Sequence, residues 1–161
     1  MAIVEVTTRI AAPVERCFDL ARSIDLHVRS TSGTSESAVA GVTKGLIADG
    51  EQVTFRGRHF GMWREMTSRI TAFHRPRHFR DSMVSGPFER FDHDHFFEPD
   101  PAGTVMIDRF DFVFRRGLLG RLIERLLLER HFERFVTTRN QFLKRIAESG
   151  QWREFVPTSV T

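Results

Sequence analysis

The sequence contains no tyrosine, one cysteine and only two lysines among its 161 residues. The single cysteine, Cys17, excludes an internal disulfide, and its apolar helical position indicates a small buried residue in a reducing compartment. The lack of tyrosine removes a common acid of proton-transfer sites, whereas sixteen phenylalanines favour an apolar interior. No apolar run approaches the roughly 18 residues of a membrane span, and Glu5 follows the start too closely for a signal peptide. We therefore expect a cytoplasmic protein without an integral membrane segment.

Charge is abundant but mixed in sign. The chain has 24 Lys and Arg against 21 Asp and Glu, and acidic residues interrupt the basic ones throughout. Because no basic stripe could follow a phosphate backbone, we expect no nucleic-acid partner. With 40% hydrophobic residues the chain is long enough for one domain with a real core. We assign residues 1–148 to that domain and 149–161 to a C-terminal tail, as a monomer or homodimer.

The longest periodic segment covers residues 118–148 and predicts a helix about 45 Å long. Gly150 follows it as a stop signal. Its apolar residues recur at helical spacing and need a partner of similar size, which we expect to be a large curved sheet. They are Leu119, Leu122, Ile123, Leu126, Phe135, Phe142, Leu143 and Ile146.

Alternation of apolar and polar residues predicts a first strand over residues 2–10. Ala12 and Pro13 then begin one short helix, and Asp25 caps a second near residues 25–29. Six more strands, separated by glycine and proline turns, are predicted near residues 35–41, 51–60, 62–73, 77–85, 88–98 and 103–115. The order predicts an α+β fold, with a curved seven-stranded antiparallel sheet wrapped around the long C-terminal helix. The gap between them is a cavity suited to an apolar ligand.

Polar residues fall on the inward faces of these strands. His93 and His95 share a face with Phe91, and Asp108 shares one with Phe110. Hairpin parity places Asp108 opposite His93 or His95, and a buried carboxylate requires such a partner. His93, His95 and Asp108 are therefore the catalytic candidates. The same parity, together with Phe135 from the helical stripe, gives a predicted ligand-binding set of Phe55, His59, Arg64, Met66, Phe79, Asp81, Phe91, His93, His95, Asp108, Phe110, Phe112 and Phe135.

Three interpretations of the polar groups remain open: a structural network, an anchor for the polar end of a ligand, and general acid/base catalysis. The spacing of His93 and His95, together with Asp108, could also bind a metal, but no cysteine or second histidine pair completes that set. We therefore expect no metal and no cofactor. The signature motifs of serine hydrolases, P-loop enzymes and zinc proteases are missing from the sequence.

Seven short stretches resemble the START-related helix-grip superfamily (SRPBCC), in particular its bacterial polyketide cyclase/dehydrase-like branch. They are residues 24–27 (IDLH), 50–61 (GEQVTFRGRHFG), 75–81 (RPRHFRD), 86–88 (GPF), 93–97 (HDHFF), 103–108 (GTVMID) and 139–140 (RN). The resemblance implies a helix-grip fold and a deep hydrophobic pocket for lipids, polyketides or similar molecules, with catalysis in some members.

The first hypothesis is binding, sequestration or transport of a hydrophobic small molecule. The alternative is a polyketide cyclase/aromatase or dehydratase that uses a His/Asp pair as general acid/base. A third is an interaction module whose pocket is filled by its own side chains. A cavity of several hundred Å³ would favour the first two.

Overall fold

The computed structural model describes residues 2–59, 61–113 and 118–157, but not the side chains of His59 and residues 118–126. The described residues form seven strands and three α-helices. The strands are β1 (Ala2–Ile10), β2 (Ser37–Gly41), β3 (Gln52–His59), β4 (Met62–His74), β5 (His78–Ser85), β6 (Arg90–Asp100) and β7 (Gly103–Val113). The helices are α1 (Val14–Ala21), α2 (Ile24–Ser30) and α3 (Leu118–Ala147).

The strands form one antiparallel sheet in the order β1-β7-β6-β5-β4-β3-β2. Strands β2 to β7 follow one another as a meander, and β1 pairs with β7 from Ala2↔Phe112 to Ile10↔Thr104. The predicted seven-stranded sheet and the long C-terminal helix are confirmed. Strand ends differ from the prediction by about two residues, and the predicted end of the last strand, at 114 and 115, lies outside the described residues.

Irregular pairing curves the sheet. The pairing of β4 with β5 shifts register between Thr67 and Ser68 and again between Ile70 and Ala72. A third shift separates Ala38 from Ala40 in β2. Such bulges bend a strand and increase its twist. The curvature leaves one face concave, towards α3.

The two short helices cover one end of the sheet. Pro13 lies at the N-cap of α1, and Cys17 and Phe18 on that helix are fully buried. The prediction that Asp25 caps α2 is wrong: the cap is Ser23, whose side chain accepts a hydrogen bond from the Leu26 N–H. The helix begins one residue earlier than predicted, which places Asp25 inside its first turn. The Asp25 carboxylate accepts the Gly45 N–H at 2.7 Å instead.

Helix α3 packs against β1, α1 and α2. Leu143 is completely buried at this contact, and Lys144 Nζ donates to the Arg9 carbonyl oxygen at 2.8 Å. The predicted apolar positions from 119 to 126 lie among the side chains that the structure does not describe. A 3₁₀ helix, Gly150–Glu154, follows α3, and Phe155 beyond it is buried against the main core. Within the described part of the chain, no helix is long and apolar enough to cross a membrane.

Candidate functional site

A cavity of about 700 Å³ lies between the concave face of the sheet, the segment that joins α1 to α2, and α3. Its wall is mostly apolar, as predicted for a cavity between the sheet and the helix. Ten members of the predicted ligand-binding set line it: Phe55, Arg64, Met66, Phe79, Asp81, Phe91, His93, His95, Phe110 and Phe135. A cavity is therefore present at the predicted position, between the sheet and α3.

Three members of the predicted set are not found on the wall. Asp108 is completely buried and lies behind the imidazoles of His93 and His95. Phe112 is also completely buried, in a cluster of phenylalanine rings. Parity assigned both residues to the inner face correctly, but the imidazoles of His93 and His95 cover Asp108, and the rings of Phe88, Phe91 and Phe132 surround Phe112. The side chain of His59 lies outside the described residues.

The register of β6 and β7 brings the histidines onto Asp108. His95 is directly opposite Asp108, and His93 is opposite Phe110. The Nε2 of His93 lies 2.9 Å from Asp108 Oδ1, within hydrogen-bond distance. The Nδ1 of His95 lies 2.8 Å from the same oxygen, although its direction is unfavourable for a hydrogen bond. The predicted pairing of Asp108 with His93 or His95 is confirmed, because Asp108 contacts both.

Asp81 on β5 approaches the same two rings from the cavity side. Its Oδ2 lies 3.4 Å from His93 Nδ1 and 3.3 Å from His95 Nε2. Each imidazole therefore has one nitrogen towards Asp108 and the other towards Asp81. This double contact is possible because β5, β6 and β7 are adjacent in the sheet.

Helix α3 supplies two further groups that the sequence-based set omitted. Asn140 Nδ2 donates to Asp108 Oδ2 at 2.7 Å, and to Thr8 Oγ1 at 3.2 Å. Arg139 Nη1 lies 3.5 Å from Asp108 Oδ1, while its Nη2 donates to the Ala21 carbonyl oxygen at 3.0 Å. Both residues are buried. Arg139 lies four residues after Phe135 and four before Leu143, on the apolar stripe of the helix, and that position was the available sequence signal.

The buried cluster shifts the pKa values of its members in opposite directions. Burial alone would raise the pKa of Asp108, but the hydrogen bond with His93 and the close contact of the His95 imidazole outweigh it and hold that pKa well below its usual value of 3.8. Burial, with the charge of His95 beside it, lowers the pKa of His93 to about 4. For His95 burial is outweighed by Asp108 and Asp81, and its pKa is raised. His95 is therefore the more basic of the two imidazoles, and His93 the less basic.

Phenylalanine rings hold both imidazoles in place. His93 stacks on Phe110 with ring centroids 3.7 Å apart, and His95 stacks on Phe79 at 4.1 Å. The two histidine rings are themselves 3.7 Å apart. Stacking on both sides restricts ring rotation, so the nitrogens keep their directions towards the two carboxylates.

Three buried polar atoms on the cavity residues form no hydrogen bond with any described part of the protein. They are Ser68 Oγ, His95 Nδ1 and Arg139 Nε. Buried polar atoms are paired in the great majority of cases, because leaving one unpaired costs about 1 to 3 kcal/mol. All three residues line the cavity, on β4, β6 and α3, and together with Asp81 and His93 they are called the polar region of its wall below.

A second polar contact lies at another part of the wall. His27 on α2 stacks on Phe55 with ring centroids 4.2 Å apart, and its Nε2 lies 2.8 Å from Glu36 Oε2. Both His27 and Glu36 line the cavity. The predicted ligand-binding set did not include them. His27 lies on a helix, and Glu36, although within the predicted strand 35–41, precedes the observed start of β2 at Ser37.

Residues 1–148 match the model of the family described as polyketide cyclase / dehydrase and lipid transport. The chain belongs to this family. Among curated proteins, comparison by sequence finds no significant match.

Solved structures of other proteins share the fold of this polyketide cyclase/dehydrase family member. The Zhui aromatase/cyclase from Streptomyces sp. R1128 superposes with a TM-score of 0.71 at 19% identity, over 91% of this chain and 93% of its own. The di-domain ARO/CYC StfQ from the steffimycin biosynthetic pathway gives 0.74 at 13% identity, over 91% of this chain and 50% of its own. TTHA0849 from Thermus thermophilus superposes with a TM-score of 0.69 at 16% identity, over 88% of this chain and 96% of its own. At these identities the likeness establishes the fold alone.

Proposed function

We propose that this family member binds an amphipathic, hydrophobic small molecule, of lipid or polyketide type, and sequesters or transports it in the cavity beneath α3. The observation that carries the proposal is the cavity of about 700 Å³, which has an apolar wall and one buried polar region. Small-molecule sites have volumes of about 300 to 1,000 Å³ and combine apolar walls with a few fixed polar groups. The third hypothesis, a pocket filled by the protein's own side chains, does not agree with this volume.

The apolar wall would supply most of the affinity. A ligand that buries about 300 Å² of apolar surface gains about 7.5 kcal/mol at about 25 cal/mol per Å². The loss of translational and rotational freedom offsets part of this gain. Phe55, Phe91 and Phe110 belong to this wall on three different strands.

The polar region would orient the ligand. Arg139 Nε and Ser68 Oγ can each donate a hydrogen bond and have no partner among the described residues. A carbonyl or carboxylate oxygen of the ligand could accept from them. An amphipathic molecule would then place its polar end near Arg139 and its apolar body among the phenylalanines.

A matched pair of tryptophan substitutions tests the location of binding. We expect Met66→Trp, which fills the cavity, to lower the affinity for an environment-sensitive naphthalene dye at least about tenfold by steric exclusion. Val84→Trp places the same ring on an exposed position of the sheet that does not line the cavity, and should leave dye affinity unchanged. Equal dye affinity in both variants would exclude the cavity as the binding site. Native mass spectrometry of protein purified from its own host would identify a retained ligand.

The arrangement of His93, His95 and Asp108 favours a second candidate function. Both imidazoles line the cavity, and Asp108 behind them accepts a hydrogen bond and fixes the orientation of the His93 ring. A cyclase/aromatase or dehydratase would use such a pair to move a proton α to a ligand carbonyl. The test is conversion of a poly-β-ketone thioester analogue by the wild-type protein. Conversion that His95→Gln abolishes while dye binding persists would support catalysis, and dye binding without conversion would reject it.

A further inference from the structure

We propose that Asp81, His93 and His95 bind a divalent first-row transition-metal ion at the polar region of the cavity. The donor atoms are Asp81 Oδ2, His93 Nδ1 and His95 Nε2, and all three lie within 4.8 Å of one another. This site differs from the set considered from the sequence, in which Asp108 was the third ligand. The proposal does not depend on which molecule the cavity carries.

The distances between the donor atoms fit a common metal ion. Metal–ligand bonds of about 2.0 to 2.2 Å place neighbouring donor atoms about 3.0 Å apart at right angles and about 3.4 Å apart in a tetrahedron. Asp81 Oδ2 lies 3.3 Å from His95 Nε2 and 3.4 Å from His93 Nδ1. Both separations are therefore in the range that one bound ion would require.

Asp108 acts as a positioning residue for both imidazoles. Metal-binding histidines usually direct their second ring nitrogen at a carboxylate or carbonyl, which fixes the tautomer and the ring orientation. Here the second nitrogens, His93 Nε2 and His95 Nδ1, lie 2.9 and 2.8 Å from Asp108 Oδ1. Asn140 holds the other oxygen of Asp108 at 2.7 Å. One buried carboxylate thus supports two ligands at once.

The charges of the cluster favour a bound cation. Asp81 and Asp108 are two carboxylates, and Arg139 is the one permanent cation that contacts Asp108 among the described residues. With both imidazoles neutral, as metal binding requires, these three residues leave one net negative charge in a largely buried place, where an uncompensated charge is costly. A divalent ion held by Asp81 and the two imidazoles would offset that charge and place positive charge beside both carboxylates.

The ligand set leaves room for further coordination from the cavity. Asp81, His93 and His95 all line the cavity, and no fourth protein ligand is present in the part of the chain that the structure describes. Three protein ligands with an open position are typical of metal sites that bind substrate, whereas structural zinc sites have four. Two imidazoles and a carboxylate suit Zn²⁺, Fe²⁺ or Co²⁺ better than Ca²⁺ or Mg²⁺, which prefer oxygen ligands. An ion there could polarise a ligand carbonyl as a Lewis acid.

Titration with Co²⁺ alone tests the proposal directly. We expect chelator-treated wild-type protein to bind one Co²⁺ per chain, with visible d–d absorption bands that Zn²⁺ abolishes by displacement. Asp81→Asn removes a ligand charge at nearly constant volume and should weaken binding at least about 100-fold, more than the loss of a supporting residue does. His78→Gln is the matched control, because His78 is also paired with an aspartate, Asp94, on the same sheet but does not line the cavity. The Co²⁺ affinity of the His78→Gln variant should equal that of the wild type.

Wild-type protein that binds no Co²⁺, or an Asp81→Asn variant that binds it equally well, would overturn the proposal. X-ray absorption spectroscopy of the Zn²⁺-loaded wild type avoids any dependence on whether a variant folds. It should show two imidazole ligands, and fewer than two would reject the assigned site. Dye binding by the metal-free protein separates the two proposals: dye binding without Co²⁺ binding rejects the metal site alone, and the reverse result rejects only ligand binding.

Discussion

Replacing Asp108 with asparagine should destabilise the protein strongly, although the two side chains have nearly the same volume. Asp108 is completely buried, and its carboxylate has hydrogen bonds with His93 and Asn140 and a third contact with His95. A hydrogen bond to a charged group contributes about 1.5 to 3 kcal/mol, and removing one member of a buried ionic group costs about 3 to 5 kcal/mol. We expect Asp108→Asn to lower the free energy of unfolding by about 3 to 5 kcal/mol. The expected loss of stability is large because the single Asp108 carboxylate contacts several buried donors.

Thermal unfolding measures this effect. For a protein of this size each kcal/mol shifts Tm by about 2 to 4 °C, so Asp108→Asn should lower Tm by about 6 to 20 °C. Asp111→Asn is the matched control on the same strand, because Asp111 forms a partly exposed ion pair with Arg90, which contributes about 1 kcal/mol or less. Equal Tm values for the Asp108 variant and the wild type would refute the buried network.

The stability difference between wild type and Asp108→Asn should also depend on pH. The pKa of Asp108 is well below 3.8 in the folded state, so the unfolded chain takes up a proton first as the pH falls. The contribution of Asp108 is therefore complete above about pH 4 and is lost as the pH falls through its folded-state pKa. Urea unfolding at several pH values should show the largest difference above about pH 4 and a smaller one in stronger acid.

Two further predictions test the core. Burial raises the pKa of the Cys17 thiol to about 11, so an aromatic disulfide reagent at pH 8 should label it only after denaturation, and rapid labelling of the native protein would contradict the burial. Leu143→Ala should lower the free energy of unfolding by about 2 to 5 kcal/mol, because Leu143 lies on the buried face of α3 and is completely buried. Leu127 on the same helix is exposed, so Leu127→Ala should change the free energy of unfolding by about 0.5 kcal/mol or less. Similar urea midpoints for these two variants would show that α3 does not pack on the sheet as described.

The two proposals assign different tasks to the same imidazoles. As a ligand anchor, the polar region needs only the unpaired donors of Arg139 and Ser68. As a metal site it needs both imidazoles and Asp81, with the cavity supplying the remaining coordination. A bound ion would not prevent amphipathic ligands from entering, because their apolar bodies contact the phenylalanines.

The local sequence pattern was sufficient to predict the fold and, at the site, the pairing of Asp108 with a histidine. Successive side chains of a strand point to opposite faces, so alternation and hairpin length together predicted that Asp108 contacts His93 or His95. The same rule placed Phe55, Phe91 and Phe110 on the concave face, where the structure has them. Helical spacing likewise predicted α3 to within a residue of its observed ends.

The sequence by itself thus determined the order of the elements, their inward faces and the contact of Asp108 with the histidines, because these depend on periodicity and on neighbouring strands. Only the tertiary structure decided that Asp81 meets the outer nitrogens of both rings and that Arg139 and Asn140 reach the same carboxylate. Those contacts depend on how far β5 curves and on which turn of α3 lies over β7. Strand alternation does not specify either quantity, because the bulges of β4 and the packing of the helix set them together.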